Sequence, residues 1–168
     1  MAAFALRPVH ASDSDFLFAL FADTRADALY LGKADPQLLA PLLQMQYAAQ
    51  RQHYARCYPA AAHAIVDAGA GALGQCLVQR TDAAIELIDI SVAAAQRARG
   101  IGTALLRELQ AEAAAAGLPL RLHVARGNRA LDWYRRLGFA VTAQDEMNSA
   151  LEWRAPHPIQ TGECHATT

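Results

Sequence analysis

The sequence predicts an α+β fold, with helices and strands mixed along a single domain. Three observations lead there. Runs such as AIELIDISV over 84–92 and LRLHV over 120–124 are short and apolar or alternating, as strands are. The segment 101–116 instead sets Ile101, Leu105, Leu109 and Ala113 on one helical stripe. The two kinds of segment interleave, and the 168 residues hold no internal repeat and no second zone of composition. One domain is expected over residues 1–155, followed by a loop-like tail over 156–168.

Each element has its own signal. Phe4–Pro8 is a short strand that ends on a proline. Ser12 or Asp13 can cap the next helix, whose apolar stripe is Phe16, Leu17, Leu20 and Phe21. Asp23–Asp35 reads as a polar, irregular connection. Pro36 suits a first helical turn, and Leu39, Leu42, Leu43, Tyr47 and Tyr54 recur at helical spacing until Tyr58-Pro59. Ala62–Asp67 and Leu73–Arg80 flank the glycines of 68–72 and read as a hairpin. Ala84–Val92 is the fourth strand. After the helix Ile101–Ala116, Gly117 suits the left-handed C′ position and Pro119 bars continuation. Leu120–Val124 is a buried-type strand, Asn128 caps a short helix, and the last strands run from Gly138-Phe139 through Val141 and again over Leu151–Trp153.

Composition excludes several classes. With 15 basic and 16 acidic residues the formal charge is −1, whereas a polyanion binder needs a basic excess. No nucleic-acid partner is expected. Apolar stretches such as Phe16–Ala22 fall far short of the ~18 residues a membrane span needs. The opening MAAFALRPVH has no basic leader and no long apolar run, so a cytoplasmic protein without a membrane partner is expected. Cys57, Cys76 and Cys164 are odd in number and scattered, which fits neither a disulfide framework nor a zinc knuckle.

Two glycine clusters compete for a phosphate-binding role. Gly69-x-Gly71-x-x-Gly74 has the formal dinucleotide spacing, but QCLVQR after it alternates like a strand, and the site needs a helix there. It reads as a hairpin loop. The second cluster, Gln96-Arg97-Ala98-Arg99-Gly100-Ile101-Gly102-Thr103, lies between a strand and the strongest helix. Unpaired N–H groups at a helix start attract phosphate, glycines let it approach, and Arg97 and Arg99 add charge. The other reading of this segment is an arginine-bearing turn with a glycine cap.

Arg97-Ala98-Arg99-Gly100-Ile101-Gly102 resembles the acyl-CoA signature Arg/Gln-x-x-Gly-x-Gly/Ala of the GNAT superfamily of acyltransferases. Asn128-Arg-Ala130-Leu-Asp-Trp-Tyr134-Arg-Arg-Leu-Gly138-Phe139 resembles its downstream helix, which ends in Tyr-x-x-x-Gly-Phe. One helix and one strand separate the two, as in the family, and the likeness covers about residues 4–154. A proline common in the family's strand-to-loop segment is replaced by alanine within Ala93–Ala95, which bears on loop rigidity. Gln52–Pro59, IELIDIS and the final LEW resemble a bacterial subgroup, a likeness that names no substrate.

The resemblance implies a mixed, mostly antiparallel central sheet flanked by helices. The sheet would be splayed between the fourth strand, ending at Val92, and the fifth, Leu120–Val124. It further implies N-acetyltransfer from acetyl-CoA, without a metal, to a primary amine of a small molecule or protein. Backbone groups of Ile90, Ser91 and Val92 would pair with the pantetheine arm. The pyrophosphate would sit on Arg97, Ala98, Arg99, Gly100, Ile101, Gly102 and Thr103. Asn128 would touch the arm. The amide near Val92 would stabilise the oxyanion. Tyr134 holds the position of the family's general acid and would also lie against the cofactor; a phenol with pKa ~10 is a proton source at neutral pH. A dimer is a family-level expectation. A catalytically inert module that binds acyl-CoA is the alternative.

The base is left open between Glu86 and Asp89. By strict alternation they face opposite sides of their strand, and a bulge would change which face each occupies. Glu86 precedes Arg97 by a spacing similar to that of the base glutamate in histone-type members. Asp89 sits in an apolar LIDIS context, where an unpaired carboxylate is costly. A water chain, or an amine that arrives neutral, would make both acids structural. His123, on LRLHV, reads as a half-buried strand histidine before a proton shuttle. Cys76 reads as a small core residue, and Arg135-Arg136 as a solvated helix face. His157, Cys164 and His165 match no zinc spacing. The acceptor region offers Asp23, Asp27, Tyr30, Asp35, Tyr47, His53, Tyr54 and Tyr58, whose carboxylates and phenols would suit a cationic amine.

Overall fold

A computed structural model of the chain describes residues 4–29 and 35–156. Seven strands form one sheet in the order β1-β2-β3-β4-β5-β7-β6. They are β1 (Ala5–Pro8), β2 (Ala62–Asp67), β3 (Ala72–Arg80), β4 (Ile85–Val92), β5 (Leu120–Ala125), β6 (Ala140–Gln144) and β7 (Asn148–Trp153). Four helices accompany them: α1 (Ser14–Leu29), α2 (Pro36–Cys57), α3 (Ile101–Ala116) and α4 (Ala130–Arg136). Neighbouring strands pair antiparallel except β4 and β5, which are parallel and joined through α3.

That parallel pair is short. Only Ile85, Glu86 and Leu87 pair with β5, opposite Leu120, Arg121 and Leu122. Beyond them β4 stays with β3 as far as Val92, and β5 stays with β7 as far as Ala125. The sheet therefore opens between its fourth and fifth strands, as the resemblance implied.

The core lies between the sheet and α3. Leu105 and Leu106 are fully buried there, each adding about 1.5–3 kcal/mol of hydrophobic stabilisation. They pack with Val66, Cys76, Leu87 and Leu122 of the sheet. Cys76 is thus a core residue, with its thiol pushed up to about 11 by burial. Gly117 closes α3 at φ 67° and its N–H bonds back to the last turn. On the other face of the sheet, Leu17 and Leu20 of α1 pack on Ile65.

Several local expectations change. Neither Ser12 nor Asp13 caps α1 alone; a 3-10 turn over Ala11–Asp13 precedes it, and the Asp13 carboxylate accepts from the His10 N–H at 2.7 Å. Arg7 clamps that carboxylate with two bonds of 2.8 Å and reaches Asp67 at 2.7 Å, which holds both carboxyls well below their usual range. The first part of Asp23–Asp35 is helix, since Arg25, Ala26, Ala28 and Leu29 are good helix formers; Thr24 turns its hydroxyl back onto Leu20 O at 3.0 Å. Asp35 caps α2 through the Gln37 N–H at 2.9 Å. β6 and β7 are each longer than expected, since the turn between them is bound by Asp145, whose carboxylate accepts from the N–H groups of Met147 and Asn148. Among the described residues no helix is long and apolar enough to cross a membrane.

Candidate functional site

The site is set by a bulge. β3 pairs Val78 with Leu87 and Leu77 with Asp89, so Ile88 has no partner on β3. The extra residue cancels the alternation expected between Glu86 and Asp89. Glu86, opposite Gln79, and Asp89, opposite Leu77, now point to the same face, with Ser91 opposite Gln75. This is the face that carries α1 and α2. The bulge lies where β4 leaves β5.

A cavity of about 540 Å³ lies against that face. Asp89, Ile90 and Ser91 of β4 line it, and Ala125 and Asn128 line it across the opening. Phe21 and Arg25 of α1, with Tyr47, Arg51 and Tyr54 of α2 and Tyr58 at its C-terminal cap, form its outer wall. Glu86 does not line it; Gln79 Nε2 donates to its carboxylate at 3.3 Å.

Asp89 is held by a chain that the sequence reading missed. Gln75 Nε2 donates to Asp89 Oδ2 at 2.8 Å and to Ser91 Oγ at 3.0 Å. Gln75 Oε1 lies 2.6 Å from His63 Nε2. An amide oxygen only accepts, so His63 Nε2 carries the hydrogen and donates. Burial raises the Asp89 carboxyl above its ordinary range; Gln75, the Ile90 backbone, and the charges of His63 and Arg25 oppose that rise. The one available signal was the register: His63, Gln75 and Asp89 fall on the same face once the bulge is placed.

Tyr134 is buried on α4, its ring 4.8 Å from Trp133 and 5.6 Å from Phe139. Desolvation, reinforced by the nearby Asp89 charge, raises its phenol far above the usual value. The two residues thus sense each other although they sit on different elements. Asn128 Oδ1 accepts from the Ala130 N–H at 2.9 Å, which starts α4.

The edge of β4 that faces the opening carries backbone groups. Ala93 N–H bonds to Leu73 O at 2.8 Å, toward β3. Alternation then turns the N–H and C=O of Val92 away from β3, toward the opening. Arg97 Nε donates to Val92 O at 3.2 Å. The turn that follows places Ala98 at φ 60° and Gly100 at φ 78° before α3 begins. Left-handed backbone at Ala98 costs roughly 1–2 kcal/mol, and alternating conformations of this kind turn successive N–H groups inward as an anion nest. Ile101 is buried and offers only its backbone. A Cβ on Gly102 would stand 3.4 Å from the Trp133 indole, whose Nε1 donates to Thr103 Oγ1 at 3.2 Å. Arg99 is exposed. These features fit a pantetheine arm and a pyrophosphate: a strand edge whose Val92 N–H turns to the opening, a helix N-terminus and a bare-glycine turn.

Other candidates lie elsewhere. Gly69 and Gly71 form the hairpin turn between β2 and β3, and Gly74 is inside β3, where a Cβ would collide with Ser91 O. His123 is exposed rather than half-buried, because it points away from the Leu122 and Val124 core face. Asp23, Asp35 and His53 do not line the cavity, while Tyr47, Tyr54 and Tyr58 do. Tyr30, the side chain of Asp27, and His157, Cys164 and His165 lie outside the described residues. Among the described residues no cluster of metal-ligating side chains occurs.

Residues 46–141 match the family described as acetyltransferase (GNAT) domain. The fold is similar to that of a PaiA N-acetyltransferase from Thermoplasma acidophilum, solved with coenzyme A. That likeness has 17% identity, covers 91% of this chain and 99% of that one, and has a TM-score of 0.68. A GCN5-related N-acetyltransferase from Rhodopseudomonas palustris is similar at 16% identity, over 92% and 98% of the chains, with a TM-score of 0.64. An acetyltransferase from Thermus thermophilus is similar at 18% identity, over 91% and 97%, with a TM-score of 0.62. No curated protein matches the chain.

Proposed function

The chain belongs to the GNAT acetyltransferase family, and from that premise we propose that it transfers an acetyl group from acetyl-CoA directly to a primary amine. The observation that carries this reading is the opening between β4 and β5, which leads to a cavity with a half-buried carboxylate on its wall. The coenzyme A bound to the Thermoplasma acidophilum relative supports the choice of donor.

The residues take the following roles. The N–H groups of the Arg97–Thr103 turn bind the pyrophosphate, helped by the positive end of α3. Ile90 and Val92 offer strand-edge groups to the pantetheine arm, and Asn128 borders it. The Val92 N–H donates to the thioester oxygen as it gains negative charge, which lowers the barrier more than it aids ground-state binding. Asp89 accepts the amine proton. Its raised pKa makes it a stronger base than an ordinary carboxylate, and Gln75 and His63 hold its orientation. Tyr134 donates to the departing thiolate; burial keeps its phenol protonated until then. Cys76, buried with a raised pKa, has no part in a covalent route.

The test is amine-dependent release of free CoA across a panel of primary amines, with acetyl-CoA affinity measured beside it. Amine-dependent release supports the reading. Tight donor binding with no release on any amine would instead support an inert acyl-CoA-binding module.

A further inference from the structure

The acceptor end of the cavity carries charge of a sign that a simple amine does not call for. Arg25 stands over the Phe21 ring at 5.3 Å and Arg51 over the Tyr47 ring at 5.7 Å. Those two rings are themselves 5.2 Å apart, so packing between α1 and α2 brings both guanidiniums to one wall of the cavity. Among the described residues neither arginine forms an ion pair; those that do include Arg7, Arg80, Arg121, Arg135 and Arg154, all away from the cavity. Arg25, Tyr54 and Asp89 line the same chamber. Farther along the same wall Tyr54 and Tyr58 present rings 6.4 Å apart.

We propose that Arg25 and Arg51 form a carboxylate-binding subsite, and that the acceptor is an amino acid with an apolar or aromatic side chain. This inference rests on the reading of the cavity as an acetyltransferase acceptor site. A cationic amine alone would be repelled by two guanidiniums facing the space it must enter. An amino carboxylate resolves the conflict: its anion meets the arginines, its amine reaches Asp89, and its side chain lies on the tyrosines. Guanidinium forks suit a carboxylate because two parallel N–H groups can meet two oxygens. Of the carboxylates and phenols that the sequence offers here, Asp23 and Asp35 do not line the cavity, whereas Tyr47, Tyr54, Tyr58 and the two arginines do.

The test compares phenylalanine with phenethylamine, and leucine with isoamylamine, as ligands of the full chain saturated with CoA, by calorimetry. The amino acid of each pair should bind about 10- to 100-fold more tightly, the range expected for charge-assisted bonds. Arg25→Gln and Arg51→Gln should each shrink that ratio to within about threefold, while a circular dichroism melt verifies that the variants fold. Equal or weaker binding of the amino acids would overturn the inference, as would a ratio unchanged in both arginine variants. Turnover is read separately. Carboxylate-dependent binding without CoA release would leave the subsite standing and remove the transferase reading; release that favours the decarboxylated amines would do the reverse.

Discussion

Gln75 donates to Asp89 at 2.8 Å while its amide oxygen lies 2.6 Å from His63 Nε2. Two strands thereby fix the orientation of the one carboxylate that lines the cavity among the described residues. The bond also opposes the effect of burial, because it favours the ionised form of Asp89.

Stability should depend on pH through that carboxyl. A group whose folded pKa is raised binds its proton more tightly folded than unfolded. Its favourable contribution is complete below the unfolded value of ~3.9 and is lost as pH rises through the folded value. Asp89→Asn removes the buried charge and should raise Tm at about pH 8, with little difference near pH 4. Thermal melts of both proteins across that range check it; a lower Tm for the variant at pH 8 would count against a raised Asp89.

Gln75→Leu should act through Asp89. Without the amide donor the carboxyl rises further, so the acid limb of the kcat/KM profile moves to higher pH. A purely structural residue would lower the whole profile without moving the limb. pH-rate profiles of the two proteins separate these outcomes.

Tyr134→Phe should lower kcat about 10²- to 10⁴-fold, the usual worth of a positioned acid. Acetyl-CoA affinity should change little, since the ring and its packing against Trp133 and Phe139 remain. Steady-state kinetics with a parallel binding titration check this. Equal losses in both would make Tyr134 a binding residue only.

Gly74→Ala should destabilise the fold by about 1–3 kcal/mol, the range for overpacking. A Cβ there would collide with Ser91 O, so β3 and β4 would have to part. Denaturant unfolding measures the loss. A variant of native stability would refute the close approach.

The fold was legible wherever one short segment decided its own structure. The bounds of β2 and α3 follow from local patterning, and a helix follows the second glycine cluster but not the first, as its sequence context predicts. α1 continues through Asp23, Thr24 and Arg25, which resemble a loop in sequence; Asp23 is exposed, while Thr24 and Arg25 line the cavity. The site was less legible. Strict alternation separated Glu86 from Asp89, and only pairing with β3 reveals the bulge at Ile88. The partnership of His63, Gln75 and Asp89 depends on the register of three strands, which no single segment encodes. Arg25 and Arg51 become neighbours only through the packing of Phe21 on Tyr47.

If acetyl transfer occurs where Asp89 faces the opening between β4 and β5, this carboxylate is needed for turnover but not for donor binding. Turnover of wild-type protein and Asp89→Asn, with acetyl-CoA affinity measured on the same samples, tests it most directly. The variant should lose about 10²- to 10⁴-fold in kcat/KM with donor affinity unchanged within about threefold. An Asp89→Asn protein that turns over like the wild type would contradict it.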